Sequence, residues 1–190
     1  MSISVENKII AKTALKAFGD NPSVYKYWDD NHSSSIDILS VKSRELTDVV
    51  LRSTIGLSDY SIGYEEGFLP VRIEIVGASE FDCFPNVLAT CAFNIINSKF
   101  QCSLGSIFKD VINMYIPNSP MNHILFVTPF LWGEELKTLV FKSKKVVWLM
   151  AIPISDAEKN YADEQGVEAL EELFEQAHIN VFDLERQSIL

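Results

Sequence analysis

The chain has 190 residues, 47% hydrophobic and 22% charged, with 26 acidic against 16 basic side chains and a formal charge of −10. This length suits one domain with a real core, and the composition excludes a disordered, collagenous or repeat-fibrous chain. The acidity argues against a nucleic-acid ligand, because phosphate binding needs clustered Lys and Arg. It favours a basic partner, or serves solubility. The excess is localised: residues 151–190 hold 10 acidic and 2 basic groups, a local −8.

Ser4 is placed to cap a first helix with Ile10, Ala14, Ala17 and Phe18 on one face, closed by Gly19 and kept closed by Asn21-Pro22. From Ser35 the period shortens. Ile36, Ile38 and Val41, and later Val71, Ile73 and Ile75 alternating with Arg72 and Glu74, predict half-buried strands. Between them Ser53–Tyr64 reads as a strand pair broken by Gly56 and Gly63. Pro85-Asn86 opens a second helix with a wide apolar stripe at Val87, Leu88, Cys91, Ala92 and Ile95.

Further β-like runs follow at Ile107–Ile116, His123–Phe130 and Val146–Ile152, the last apolar enough to be covered on both faces. Ser155 and Glu158 have the spacing of a capping box and start a final helix, which Gly166 is placed to interrupt. Beyond it Leu170, Leu173, Phe174 and Ala177 lie on one side, and Glu168, Glu171, Glu172 and Glu175 toward the other. The pattern predicts one α+β domain over residues 1–190, with helices packed on a mixed, mainly antiparallel sheet.

Catalytic motifs are absent: no phosphate-binding loop, no dinucleotide fingerprint, no nucleophile elbow and no H-E-x-x-H. His123 opens an apolar strand and reads as a strand-end residue rather than a general base. Asp29, Asp30 and His32 are either a metal-binding cluster or a solvated loop. Cys83, Cys91 and Cys102 lack metal-ligand spacing, Cys91 lying on a core stripe and the other two open to exposure. With no basic N-terminal segment leading into an apolar one, they suggest a reducing cytoplasm. The longest apolar run, Val146–Ile154, is about half of what a membrane helix needs. No catalytic residue, metal or cofactor is expected.

Six segments in order carry a resemblance: STIGLSDY at 53–60, VRIEI at 71–75, HILFVTPFLW at 123–132, VWLMAIPIS at 147–155, the run from Glu158 through Gly166 to Leu173, and FDLERQS at 182–188. The chain resembles the suppressor of fused family. It is most similar to small bacterial members that serve as antitoxins, or immunity proteins, of LXG-type toxin systems in Bacillus-like bacteria. The resemblance implies the mixed α/β fold of the family's N-terminal domain and a cytoplasmic binding protein that neutralises a cognate toxin, a nuclease. The animal member has a further C-terminal domain for which a chain of this length has no room, so its partner does not carry over.

A nuclease cleft is electropositive, so an acidic helix can plug it and be steered to it. The candidate charges are Asp163, Glu164, Glu168, Glu171, Glu172 and Glu175, and the candidate aromatic anchors are Tyr161 and Trp132. For the glutamates the alternative is a solvated helix face, and for Trp132 a core position. Two alternatives of other classes stand beside the antitoxin: a small enzyme built on Asp29–His32 or another pocket, and a scaffold or regulator like the animal relative.

Overall fold

The computed structural model describes residues 4–64 and 69–190; the acidic pair Glu65-Glu66 lies outside them. Helix α1 (Val5–Phe18) starts where expected, the Ser4 hydroxyl accepting from the Asn7 amide, and buries Ile10, Ala14 and Phe18. Ile10 and Phe18 each contribute about 1.5–3 kcal/mol when taken out of water, and Ala14 less. Strands β1 (Ser23–Trp28), β2 (Ser35–Lys42), β3 (Val50–Ile55) and β4 (Val71–Ser79) follow. Helix α2 (Phe84–Ile96) then buries the whole of its expected stripe. Next come β5 (Ile107–Phe108), β6 (His123–Val127), β7 (Leu139–Val140) and β8 (Lys145–Ile154). Helices α3 (Asp156–Gln165) and α4 (Val167–Ala177) close the chain.

The strands form a sheet in the order β1-β2-β3-β4-β8-β6-β5, with β7 beside β8. Only β4 and β8 run parallel; the other pairs are antiparallel. The α+β class and the mixed, mainly antiparallel sheet are therefore as expected. Both sheet faces are covered. One carries α2 over Ile36, Ile38, Ile73, Ile75, Phe126 and Ala151. The other carries α1, α3 and α4 over Leu39, Val76, Leu125, Val127, Met150 and Ile152. Strand β8 lies between the two and is buried along most of its length, as its composition demands.

Several expectations fail, each for a physical reason. Ser53–Tyr64 is not a strand pair: β3 ends at Ile55, and Leu57–Asp59 forms a 3₁₀ turn. The turn exists to satisfy Glu74. That carboxylate is not on a solvent face but fully buried, and accepts from the Gly56, Leu57 and Ser58 amides and the Thr54 hydroxyl at 2.7–3.3 Å. Burial raises its pKa to about 7 against the lowering effect of these bonds. The run Ile107–Ile116 yields only a two-residue strand, because Asp110 turns the backbone at φ 58 and gives its amide to His123 Nδ1. Strand β6 stops at Val127, before Pro129, which has no amide to extend a ladder.

Candidate functional site: an acidic groove beside the last helix

Gly166 at φ 95 divides the acidic C-terminal run into two helices, a conformation L side chains rarely adopt. The candidate residues consequently fall into two groups. On α3, Asp163 bonds Lys159 at 2.7 Å, and that hydrogen bond holds its carboxyl below the usual range. Glu164 is exposed, and Tyr161 is half-buried against the core. On α4, Glu168, Glu172 and Glu175 are exposed and Glu171 is half-buried, and none of the four has a basic partner within ion-pair distance among the described residues.

The α4 glutamates recur at i, i+3, i+4 and i+7, so they form one stripe. Like charges at these spacings each cost a helix a few tenths of a kcal/mol. Glu175 adds the unfavourable end of the macrodipole, since no basic side chain lies in the last turn. No Lys or Arg of α4 interleaves the stripe to relieve this repulsion.

Beside the stripe lies a groove of about 410 Å³, lined by Phe130 and Leu131 on one side and by Glu171, Phe174, Glu175 and His178 on the other. Phe130 is 56% exposed, a large aromatic surface next to unpaired carboxylates. Partial burial raises the pKa of Glu171, and the neighbouring Glu168 and Glu175 raise it further. Apolar area ringed by charge is the anatomy of a protein docking site: the apolar part supplies affinity, and the ring supplies orientation and rate.

Trp132 is not part of this surface. It is 7% exposed and packs on Phe18, ring centroids 5.0 Å apart, so it anchors α1 to the core rather than reaching a partner. The exposed aromatic of its segment is Phe130, in the 3₁₀ turn Phe130–Glu135. Sequence reasoning placed Phe130 in a strand; Pro129 before it was the available signal that the strand had ended.

The segments that carry the family resemblance turn out to be mostly architecture. Glu158 from α3 and Arg186 from the C-terminal segment form a buried bidentate pair at 2.7 Å, with Arg186 over the Phe174 ring. Glu158 also completes the Ser155 capping box and accepts from the Ile189 amide. At the other end, Lys144 binds the Ser58 carbonyl, Asp59 and Glu6, joining the 3₁₀ turn to α1. His123 heads β6 and is buried, its Nε2 facing Asp156 at 3.0 Å. As Nδ1 accepts from Asp110, Nε2 carries the proton.

The Asp29–His32 region is a loop held by its own bonds. Asp29 accepts from the Ser33 and Ser34 amides, the Ser33 hydroxyl and the Asn97 side chain, and the Ser34 and Ser33 bonds lower its pKa. His32 sits at φ 52 against Trp28. The thiols are not activated either. Cys102 is buried, not exposed, and burial pushes it up to about 12; burial likewise raises Cys83 and Cys91.

The family model described as Suppressor of fused protein (SUFU) matches residues 32–187. A curated relative from Bacillus subtilis (strain 168), named Immunity protein YqcF, is 53% identical over 192 residues, spanning all of both chains. A putative suppressor of fused homologue from Neisseria gonorrhoeae FA 1090 superposes with a TM-score of 0.73 over 97% of this chain and 96% of its own, at 18% identity. Drosophila Suppressor of Fused matches with a TM-score of 0.65 and 12% identity over 94% of this chain, which spans 50% of that longer protein. At these identities the two structures speak for the fold.

Proposed function

We propose, from the premise that the chain belongs to the suppressor of fused family, that it is an immunity protein: it binds a cognate toxin inside the producing cell and blocks it. The carrying observation is the unpaired glutamate stripe of α4 beside the exposed apolar groove at Phe130 and Leu131. The full-length relative at 53% identity bears the name of an immunity protein, which supplies the class of partner. The partner in this reading is the toxic domain of an LXG-type toxin, a basic nuclease, and the inhibitor performs no chemistry of its own.

The mechanism follows from the surface. Glu168, Glu171, Glu172 and Glu175 draw the partner's cationic cleft toward α4, raising the encounter rate by up to orders of magnitude at low ionic strength. Phe130 and Leu131 then desolvate against apolar side chains of the partner and hold the complex. Glu171, already half-buried and crowded by like charge, gains most from a Lys or Arg arriving beside it. Tyr161, Asp163 and Glu164 lie on α3, outside the groove lining, and take no part in this contact.

Co-expression with the toxin encoded beside it tests the reading. Survival of the cells and recovery of a stoichiometric complex are expected. Continued death with no complex recovered contradicts it.

A further inference from the structure

On the sheet face that carries α2, opposite the one that carries α4, the sheet holds a cation it does not neutralise. Arg52 of β3 is 4% exposed, and its Nη1 donates to the Val50 and Ser79 carbonyls at 3.0 and 3.2 Å. Its Nε is enclosed without any partner, and no carboxylate lies within ion-pair distance among the described residues. An enclosed guanidinium without a counter-ion is costly, and an anion within reach of its remaining donors relieves that cost. The packing is deliberate. Gly77 lets the Phe84 ring lie on the sheet, where a Cβ would meet it at 2.7 Å, and the Arg52 guanidinium sits 5.8 Å from that ring.

What surface Arg52 keeps lies on a cleft of about 590 Å³, whose walls include Tyr25, Tyr27, Ser40, Lys42 and Arg44. Ser40 faces Arg52 across β2 and β3, and Ser23 of β1 faces Ser40, so hydroxyls continue the row. Lys42 has no ion-pair partner among the described residues, whereas Arg44 pairs with Asp20. Asp82 lies near enough to attract Arg52 without bonding it. Tyr25, 63% exposed, offers a flat wall. In a chain of charge −10 this is a concentration of cationic and aromatic groups, with Asp20, the partner of Arg44, as the one carboxylate among the lining residues.

We infer that this cleft binds a small organic oxyanion, a phosphate monoester or a carboxylate carried on a flat ring, with Arg52 and Lys42 taking the anionic group and Tyr25 and Tyr27 the ring. Arg52 presents a charged donor edge to the oxyanion, Lys42 adds a mobile point charge, and stacking supplies the rest. The cleft shares no lining residue with the groove beside α4.

Amide chemical-shift titrations of the intact chain with AMP, benzoate and inorganic phosphate test it. AMP or benzoate should saturate with shifts confined to β1, β2, β3 and the start of α2, and should bind about tenfold more tightly than inorganic phosphate. Saturation by AMP alone identifies the phosphate monoester, and by benzoate alone the carboxylate. R52K should weaken binding about tenfold, by losing the planar fork. K42A and Y25A alter exposed side chains, leave the fold intact and should each weaken it several-fold. No saturable binding up to about 20 mM, or affinities unchanged in both K42A and Y25A, overturns the inference.

Discussion

Helices α3 and α4 are neighbours, both acidic and parted only by Gly166, yet they use their carboxylates in opposite ways. On α3 three of the four carboxylates are spent within the protein, Asp156 on His123 and Asn122, Glu158 on Arg186 and Asp163 on Lys159, and only Glu164 is exposed without an ion-pair partner among the described residues. On α4 four glutamates stand unpaired along one stripe, beside a groove that exposes Phe130. A carboxylate with an internal partner is architecture. One left unpaired among like charges, at a cost to its own helix, is available to something outside.

The largest expected effect lies on the architectural side. Glu158→Gln leaves Arg186 buried without its partner and should cost about 3–5 kcal/mol in urea denaturation. Binding of the toxin per folded molecule should not change. If binding disappeared while the fold survived, α3 would belong to the interface and the contrast would break.

The Glu74 knot behaves similarly and adds a pH signature. Its folded pKa of about 7 lies above the ordinary 4.5, so the folded state holds the proton more tightly than the unfolded chain. The stabilisation is therefore complete below about pH 4.5 and lost as pH rises to about 7, roughly 3 kcal/mol over that window. Glu74→Gln should remove this slope. It should also destabilise by about 1–3 kcal/mol at pH 8, because its amide nitrogen must face a backbone N–H. A slope in the variant equal to that of the parent protein would reassign the titration to another group.

The groove side should show the reverse pattern. Phe130→Ala should leave stability within about 0.5 kcal/mol, the ring being mostly exposed. It should speed dissociation of the toxin complex by tenfold or more, as expected for an apolar anchor worth about 2 kcal/mol. Smallest of all, Glu175→Lys should stabilise the free protein by a few tenths of a kcal/mol, since it relieves repulsion and suits the helix C-terminus. Thermal denaturation of the isolated chain measures it, and a lower melting temperature would show that the stripe is not a strained surface.

Much of this contrast was written in local sequence. The capping residues Ser4 and Ser155, the stripe of α2, the apolar run of β8 and the break at Gly166 are each short-range signals, and each appears in the fold. The failures are long-range. Glu74 looked solvent-facing by alternation because nothing nearby in the chain announces the three amides that receive it. Strand β1 escaped notice because an edge strand with mostly exposed residues has no apolar period. At the site the glutamate stripe was legible, but the groove was not. Its second wall comes from a distant turn, and within that turn Trp132, weighed as either an anchor or a core residue, is the one the core takes.

The central claim is that α4, not α3, meets the toxin. Stopped-flow association with the isolated toxic domain, measured at low and high salt, tests it on two variants of equal charge change. A pair of reversals on α4, Glu171→Lys with Glu175→Lys, should slow association about tenfold or more at low salt, with the difference shrinking as salt screens it. The matching pair on α3, Asp163→Lys with Glu164→Lys, should change it far less. Equal slowing by both pairs would reduce the effect to net charge, and slowing by the α3 pair alone would place the interface on the other helix.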